Sequence, residues 1–136
     1  MTIEELQQKF EEDIQITEEM IDRQIISLPK IMAKYIFFYS DTLKMLSNVS
    51  CRKDELFHGI MMEYRGGKSD MSKFSWNATE LKRMIETSPV YMELVREENR
   101  LQSELKTVEE MIANIKSIGY SMNNYIAYKK LMNGVV

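Results

Sequence analysis

The sequence predicts an all-α protein, a long helical hairpin with short flanking helices. Three observations carry that prediction. Apolar residues recur at alternating spacings of three and four over about residues 30–65 and again over about 88–126, which lays them along one face of a helix. Only two prolines and five glycines occur in 136 residues. One irregular stretch, residues 64–77, separates the two patterned regions.

The elements follow in order. Thr2 and Glu5 form the pattern of a capping box and open a short acidic helix to about residue 13. The β-branched run from Ile14 to Thr17 weakens it, and Thr17 is placed to cap a second helix with Glu18 and Glu19 in its first turn. Pro29 either ends or kinks that helix, or opens the next one. From about residue 30 to 65 a long helix carries Met32, Tyr35, Tyr39, Thr42, Leu46, Val49, Lys53, Leu56 and Ile60 on one stripe. Gly66 and Gly67 stop it by supplying the left-handed cap that other residues resist. Asn77 or Thr79 then starts a short helix through about Thr87. Ser88 and Pro89 are a capping serine and a first-turn proline. The stripe they introduce runs through Tyr91, Leu94, Glu98, Leu101, Leu105, Val108, Ile112, Ile115, Gly119, Met122 and Ile126; Gly119 is expected to break or kink it, with Ser121 restarting a short helix to Met132.

The length fits a single domain, residues 1–136, with an N-terminal part to residue 87 and a C-terminal helical region from 88. The stripes are broader than one hairpin buries, so self-association is expected. Twelve methionines suit adaptable interfaces.

The net charge of −3 is unevenly spread: −7 over residues 1–22, +4 over 23–90 and zero over 91–136. The middle of the chain suits a polyanion, and the N-terminus does not. A single cysteine, Cys51, permits no internal disulfide and fits a reducing compartment. No signal-peptide pattern or membrane-length apolar run is visible, so no membrane partner is expected.

Candidate chemistry concentrates in and beside the irregular stretch. Arg65, Lys68 and Lys73 supply cations there, Tyr64, Phe74 and Trp76 supply aromatic faces, and the glycine pair exposes backbone amides. Cations neutralise phosphates and aromatic rings accept unstacked bases. Arg52, Lys53, Lys82 and Arg83 flank it. Surface charges that merely solubilise a bundle fit the same composition, and Phe74 and Trp76 either stack bases or anchor the loop. Gly67-Lys68-Ser69 looks like the end of a phosphate-binding loop. However, Met62 occupies the place of the required first glycine, and a helix rather than a strand precedes it. His58, the only histidine, has Asp54 one turn earlier and no further ligand at helical spacing, which argues for a surface position rather than a metal or catalytic one. No nucleophile–base arrangement is seen, so neither an enzyme nor a cofactor is expected.

With these residues in place, the chain resembles the UvsY-type recombination mediators of large tailed bacteriophages over nearly its whole length. The resemblance rests on the acidic opening Ile3 to Gln7, the long helix ending Tyr64, Arg65, Gly66, the polar loop with Asp70, the pair Phe74 and Ser75, the run Ile115 to Tyr120, and Gly134. It implies a non-enzymatic accessory protein in the cytoplasm of the infected bacterium. Such mediators bind single-stranded DNA coated with the phage single-strand binding protein and load the RecA-like phage recombinase. They assemble as rings of six or seven subunits through the C-terminal helical region, which makes Leu105, Val108, Ile112, Ile115, Met122 and Ile126 the candidate interface. The family's DNA-contacting basic pair falls on His58 and Ile60, so phosphate contacts move to Arg52, Lys53, Arg65, Lys68 or Lys73, with Tyr64 beside them. The competing reading is a coiled-coil adaptor that oligomerises and binds helical partners without DNA affinity.

Overall fold

The computed structural model describes residues 2–15, 21–65 and 77–134. They form four helices: α1 (Ile3–Asp13), α2 (Ile21–Arg65), α3 (Ala78–Glu86) and α4 (Pro89–Met132). No strand occurs among the described residues. The all-α reading of the sequence therefore holds.

Local signals explain most of the helix ends. Thr2 accepts from the Glu5 amide while the Glu5 carboxylate accepts from the Thr2 amide, so the capping box forms as expected. Asn77, rather than Thr79, caps α3 with the same reciprocal arrangement through Glu80. Pro89 opens α4, where its missing N–H costs nothing. The Ser88 hydroxyl, expected to cap α4, instead donates backwards to the Ile85 carbonyl at 2.7 Å and closes the end of α3. Thr17 and the glycine pair lie outside the described residues.

Neither Pro29 nor Gly119 ends its helix. Pro29 sits inside α2, and α2 runs 45 residues, about 68 Å at 1.5 Å per residue. Helical proline forfeits one backbone hydrogen bond, a cost of about 3 kcal/mol. Core burial of Leu28, its immediate neighbour, and of Tyr35 two turns on offsets that cost. Gly119 likewise leaves α4 unbroken. A Cβ there would meet Leu28 Cδ1 at 3.7 Å, so the glycine is a point where α2 and α4 lie close.

The chain divides into two compact units, and both long helices contribute to each. Unit 1 comprises residues 1–41 and 104–136. Its core joins Leu6 and Phe10 of α1, Leu28 and Tyr35 of α2, and Val108, Met111, Ile115 and Met122 of α4. The Phe10 and Tyr35 rings meet edge-on at 5.3 Å. Tyr35 is fully buried, and its hydroxyl donates to Asp13 at 3.0 Å. Lys34 reaches the same carboxylate oxygen at 2.6 Å. Asp13 ends α1, where the helix dipole disfavours an anion and no basic residue occupies the last turn. The lysine and tyrosine supply the compensation that α1 itself lacks. Burial and the neighbouring carboxylate push the Tyr35 hydroxyl well above the usual tyrosine range.

Unit 2 comprises residues 42–103. It buries Thr42 and Val49 of α2, Leu81 and Ile85 of α3, and Leu101 of α4. Ser50 and Lys53 face Glu98, and Phe57 meets Tyr91 at 6.3 Å, so α2 and α4 run antiparallel within the unit.

Candidate nucleic-acid interface

The last turns of α2, in unit 2, carry the described members of the expected DNA contact. Arg52, His58 and Arg65 are exposed, Tyr64 is half-buried, and Arg65 is the final helical residue. Helical register separates them into two faces. His58 and Arg65 are seven residues apart, about 20° in angle, and share one face; Arg52 stands about 120° from His58. Arg52 and Arg65 have no ion pair among the described residues, which leaves both guanidinium groups open to phosphate. Ile60 is half-buried rather than a surface position. Lys68, Lys73, Phe74 and Trp76 lie outside the described residues.

Lys53 is differently placed. Its ammonium lies 3.0 Å from the Glu98 carboxylate, with side-chain exposures of 22% and 14%. Ser50 donates to the other Glu98 oxygen at 2.8 Å. These hydrogen bonds hold the Glu98 carboxyl below the usual carboxylate range and the Lys53 ammonium above the usual lysine range. Lys53 thus has a partner within its own unit that joins α2 to α4. The sequence did carry a signal for this pair, since each apolar stripe contains one charged residue and the two are of opposite sign. On α3, Lys82 pairs loosely with Glu86 at 3.9 Å, and Arg83 is exposed.

The six candidate interface residues on α4 divide as well. Val108, Ile115 and Met122 are buried in the core of unit 1, while Leu105, Ile112 and Ile126 are half-buried. The apolar surface left open near the end of α4 belongs to Tyr120, Tyr128, Leu131 and Met132, which recur at helical spacing. Sequence periodicity missed them because the 3-4 stripe runs along the opposite, inward face.

Among the described residues no group of three or more His, Cys, Asp or Glu could hold a metal ion, and no helix is long and apolar enough to cross a membrane. The residues present can hold phosphates by charge.

The sequence model of the family described as "Recombination, repair and ssDNA binding protein UvsY" matches residues 9–135. The chain belongs to the UvsY family. Two crystal structures of the bacteriophage T4 recombination mediator protein UvsY share the fold. The first, lattice type II, superposes with a TM-score of 0.83 at 16% identity over 98% of each chain. The second, lattice type IV, gives 0.81 at 15% identity over 97% of this chain and 99% of the other. No curated protein sequence matches this chain. The family so described is one of recombination, repair and single-stranded-DNA binding.

Proposed function

We propose that this chain loads a RecA-like phage recombinase onto single-stranded DNA coated with the phage single-strand binding protein, in the cytoplasm of the infected host. The observation that carries the reading is the UvsY family match across residues 9–135. The exposed cations Arg52 and Arg65 at the end of α2, without an ion pair among the described residues, support it. Lys68 and Lys73 add charge in the sequence that follows, Tyr64 and His58 belong to the same end of α2, and Lys53 is tied to Glu98 rather than offered to phosphate.

The active form is a homo-oligomer of six or seven subunits. The open apolar residues near the end of α4 support association, with Leu105, Ile112 and Ile126 along the flank and Val108, Ile115 and Met122 shaping the helix beneath. Repetition of a modest phosphate site around an oligomer raises the effective concentration for each further contact. A strand engaged at several subunits is held extended, the form a recombinase filament requires. Nothing in the described part of the site reads base edges, so binding is largely sequence-independent.

The test is titration of a fluorescent single-stranded oligonucleotide over a salt series with a duplex control, followed by recombinase strand exchange on strand coated with single-strand binding protein. Tight, salt-sensitive, single-strand-preferring binding with faster exchange is the expected result. An oligomeric protein that binds no DNA at low salt would refute the reading in favour of a coiled-coil adaptor. Normal DNA binding without stimulation of exchange would refute recombinase loading alone.

A further inference from the structure

The outward face of α2 within unit 1 bears groups that neither the core nor the site above uses. Arg23, Lys30 and Phe37 are seven residues apart on one helix, so they share one face and succeed each other about every 10.5 Å. All three are exposed, Phe37 by 71%. Ile26, 79% exposed, and Ala33 border the same face. From residue 23 to the end of unit 1 at 41, α2 carries three cations and one acid, the exposed Asp41 one turn beyond Phe37. Lys34, the third, is taken by Asp13, whereas Arg23 and Lys30 have no ion pair among the described residues. The same heptad position continues in unit 2 through Lys44, Cys51, His58 and Arg65, every one exposed and none acidic.

Core packing does not account for this pattern, because the buried face of α2 in unit 1 is that of Leu28 and Tyr35. A face made for a second helix would be continuously apolar. Here a large, mostly exposed aromatic ring follows two cations that no described carboxylate pairs with. That combination suits a flexible polyanion with planar faces: phosphates pair with the cations and a base stacks on the ring.

We propose that Arg23, Lys30 and Phe37 form a second single-stranded DNA contact on unit 1, in which the two cations hold phosphates and Phe37 stacks a base. The proposal rests on the single-stranded DNA binding argued above and assigns that activity a surface additional to Arg52 and Arg65.

The experiment uses the full chain with a fluorescent oligo-dT over a salt series. Arg23→Gln with Lys30→Gln should lower the slope of log affinity against log salt by roughly 0.7 for each phosphate that the variant no longer neutralises. Phe37→Ala should weaken binding by roughly tenfold with an unchanged slope, and Phe37→Tyr should restore it by keeping the ring face. Because all three side chains are exposed, the helical circular dichroism and oligomer mass should match wild type. Variant titrations that overlay wild type, while Arg52→Gln with Arg65→Gln weakens binding, would overturn this second contact and leave the proposed function standing. Wild-type protein that binds no oligo-dT would overturn both. A Phe37→Ala protein that releases DNA only because its oligomer dissociates would also overturn the contact, marking Phe37 as an interface between copies.

Discussion

Replacing Lys53 by methionine should destabilise the protein without changing the salt dependence of DNA binding. Methionine keeps much of the stem's apolar length and its helix propensity while deleting the charge. At 3.0 Å the Lys53–Glu98 pair has a gross attraction of about 5.5 kcal/mol at an effective dielectric of about 20. Most of this is offset by desolvation and by the entropy of fixing two long side chains. Exposed pairs contribute about 0.2–1 kcal/mol, and breaking a buried pair costs about 3–5 kcal/mol. With side-chain exposures of 22% and 14% the pair lies between these limits, and Ser50 still donates to the stranded carboxylate. The expected loss is therefore about 1–2 kcal/mol. Urea denaturation at fixed protein concentration measures it as a lower midpoint with unchanged slope. A double-mutant cycle with Glu98→Gln should return a coupling of about 1 kcal/mol. A Lys53→Met protein with an unmoved midpoint and a shallower DNA salt slope would refute the reasoning and make Lys53 a phosphate contact.

Three further outcomes follow from the same structure. Glu98 is held below its unfolded value of about 4.3, so its contribution is present above that pH and lost as pH falls through the folded value. Lys53 is held above its unfolded value of about 10.4, so its contribution is present below that pH and lost as pH rises through the folded value. Denaturation midpoints between about pH 3 and 11 should therefore show a smaller acid and alkaline decline in Lys53→Met than in wild type. Tyr35→Phe removes a buried hydrogen bond to a carboxylate that Lys34 still partners, and thermal or urea unfolding should show a loss of about 1–2 kcal/mol. Gly119→Ala adds a methyl in ordinary contact with Leu28 within a continuous helix, and should raise stability by about 0.5–1 kcal/mol, as urea midpoints would show.

Much of the fold was legible because its causes are local or periodic. Thr2 with Glu5 is a chemically complete cap within four residues, so its reading needed no tertiary information, whereas the start of α3 stayed open between Asn77 and Thr79 until the Asn77–Glu80 cap was seen. Every member of the two apolar stripes avoids full exposure, from Met32 to Ile60 on α2 and from Tyr91 to Ile126 on α4, because a helix turns a 3-4 spacing into one face. Pro29 and Gly119 do not end their helices, for the opposite reason. Their propensities are penalties of about 3 and 1 kcal/mol, small against the packing of Leu28 and its neighbours. The candidate site was legible only as composition, since register decides which cations share a face.

The sequence by itself determined the helical class, the ends of α1, the opening of α4 at Pro89, the inward faces of the long helices and membership of the UvsY family. Each follows from covalent spacing along one chain. Only the tertiary structure decided that Lys53 is tied to Glu98 while Arg52 and Arg65 stay open, and that Val108, Ile115 and Met122 are consumed in a core shared with α1. It also decided that Phe37 faces outward while Phe38, the next residue, packs against Tyr35 at 5.5 Å. Those choices depend on which distant residue arrives opposite each side chain, and spacing along a single helix carries no information about that.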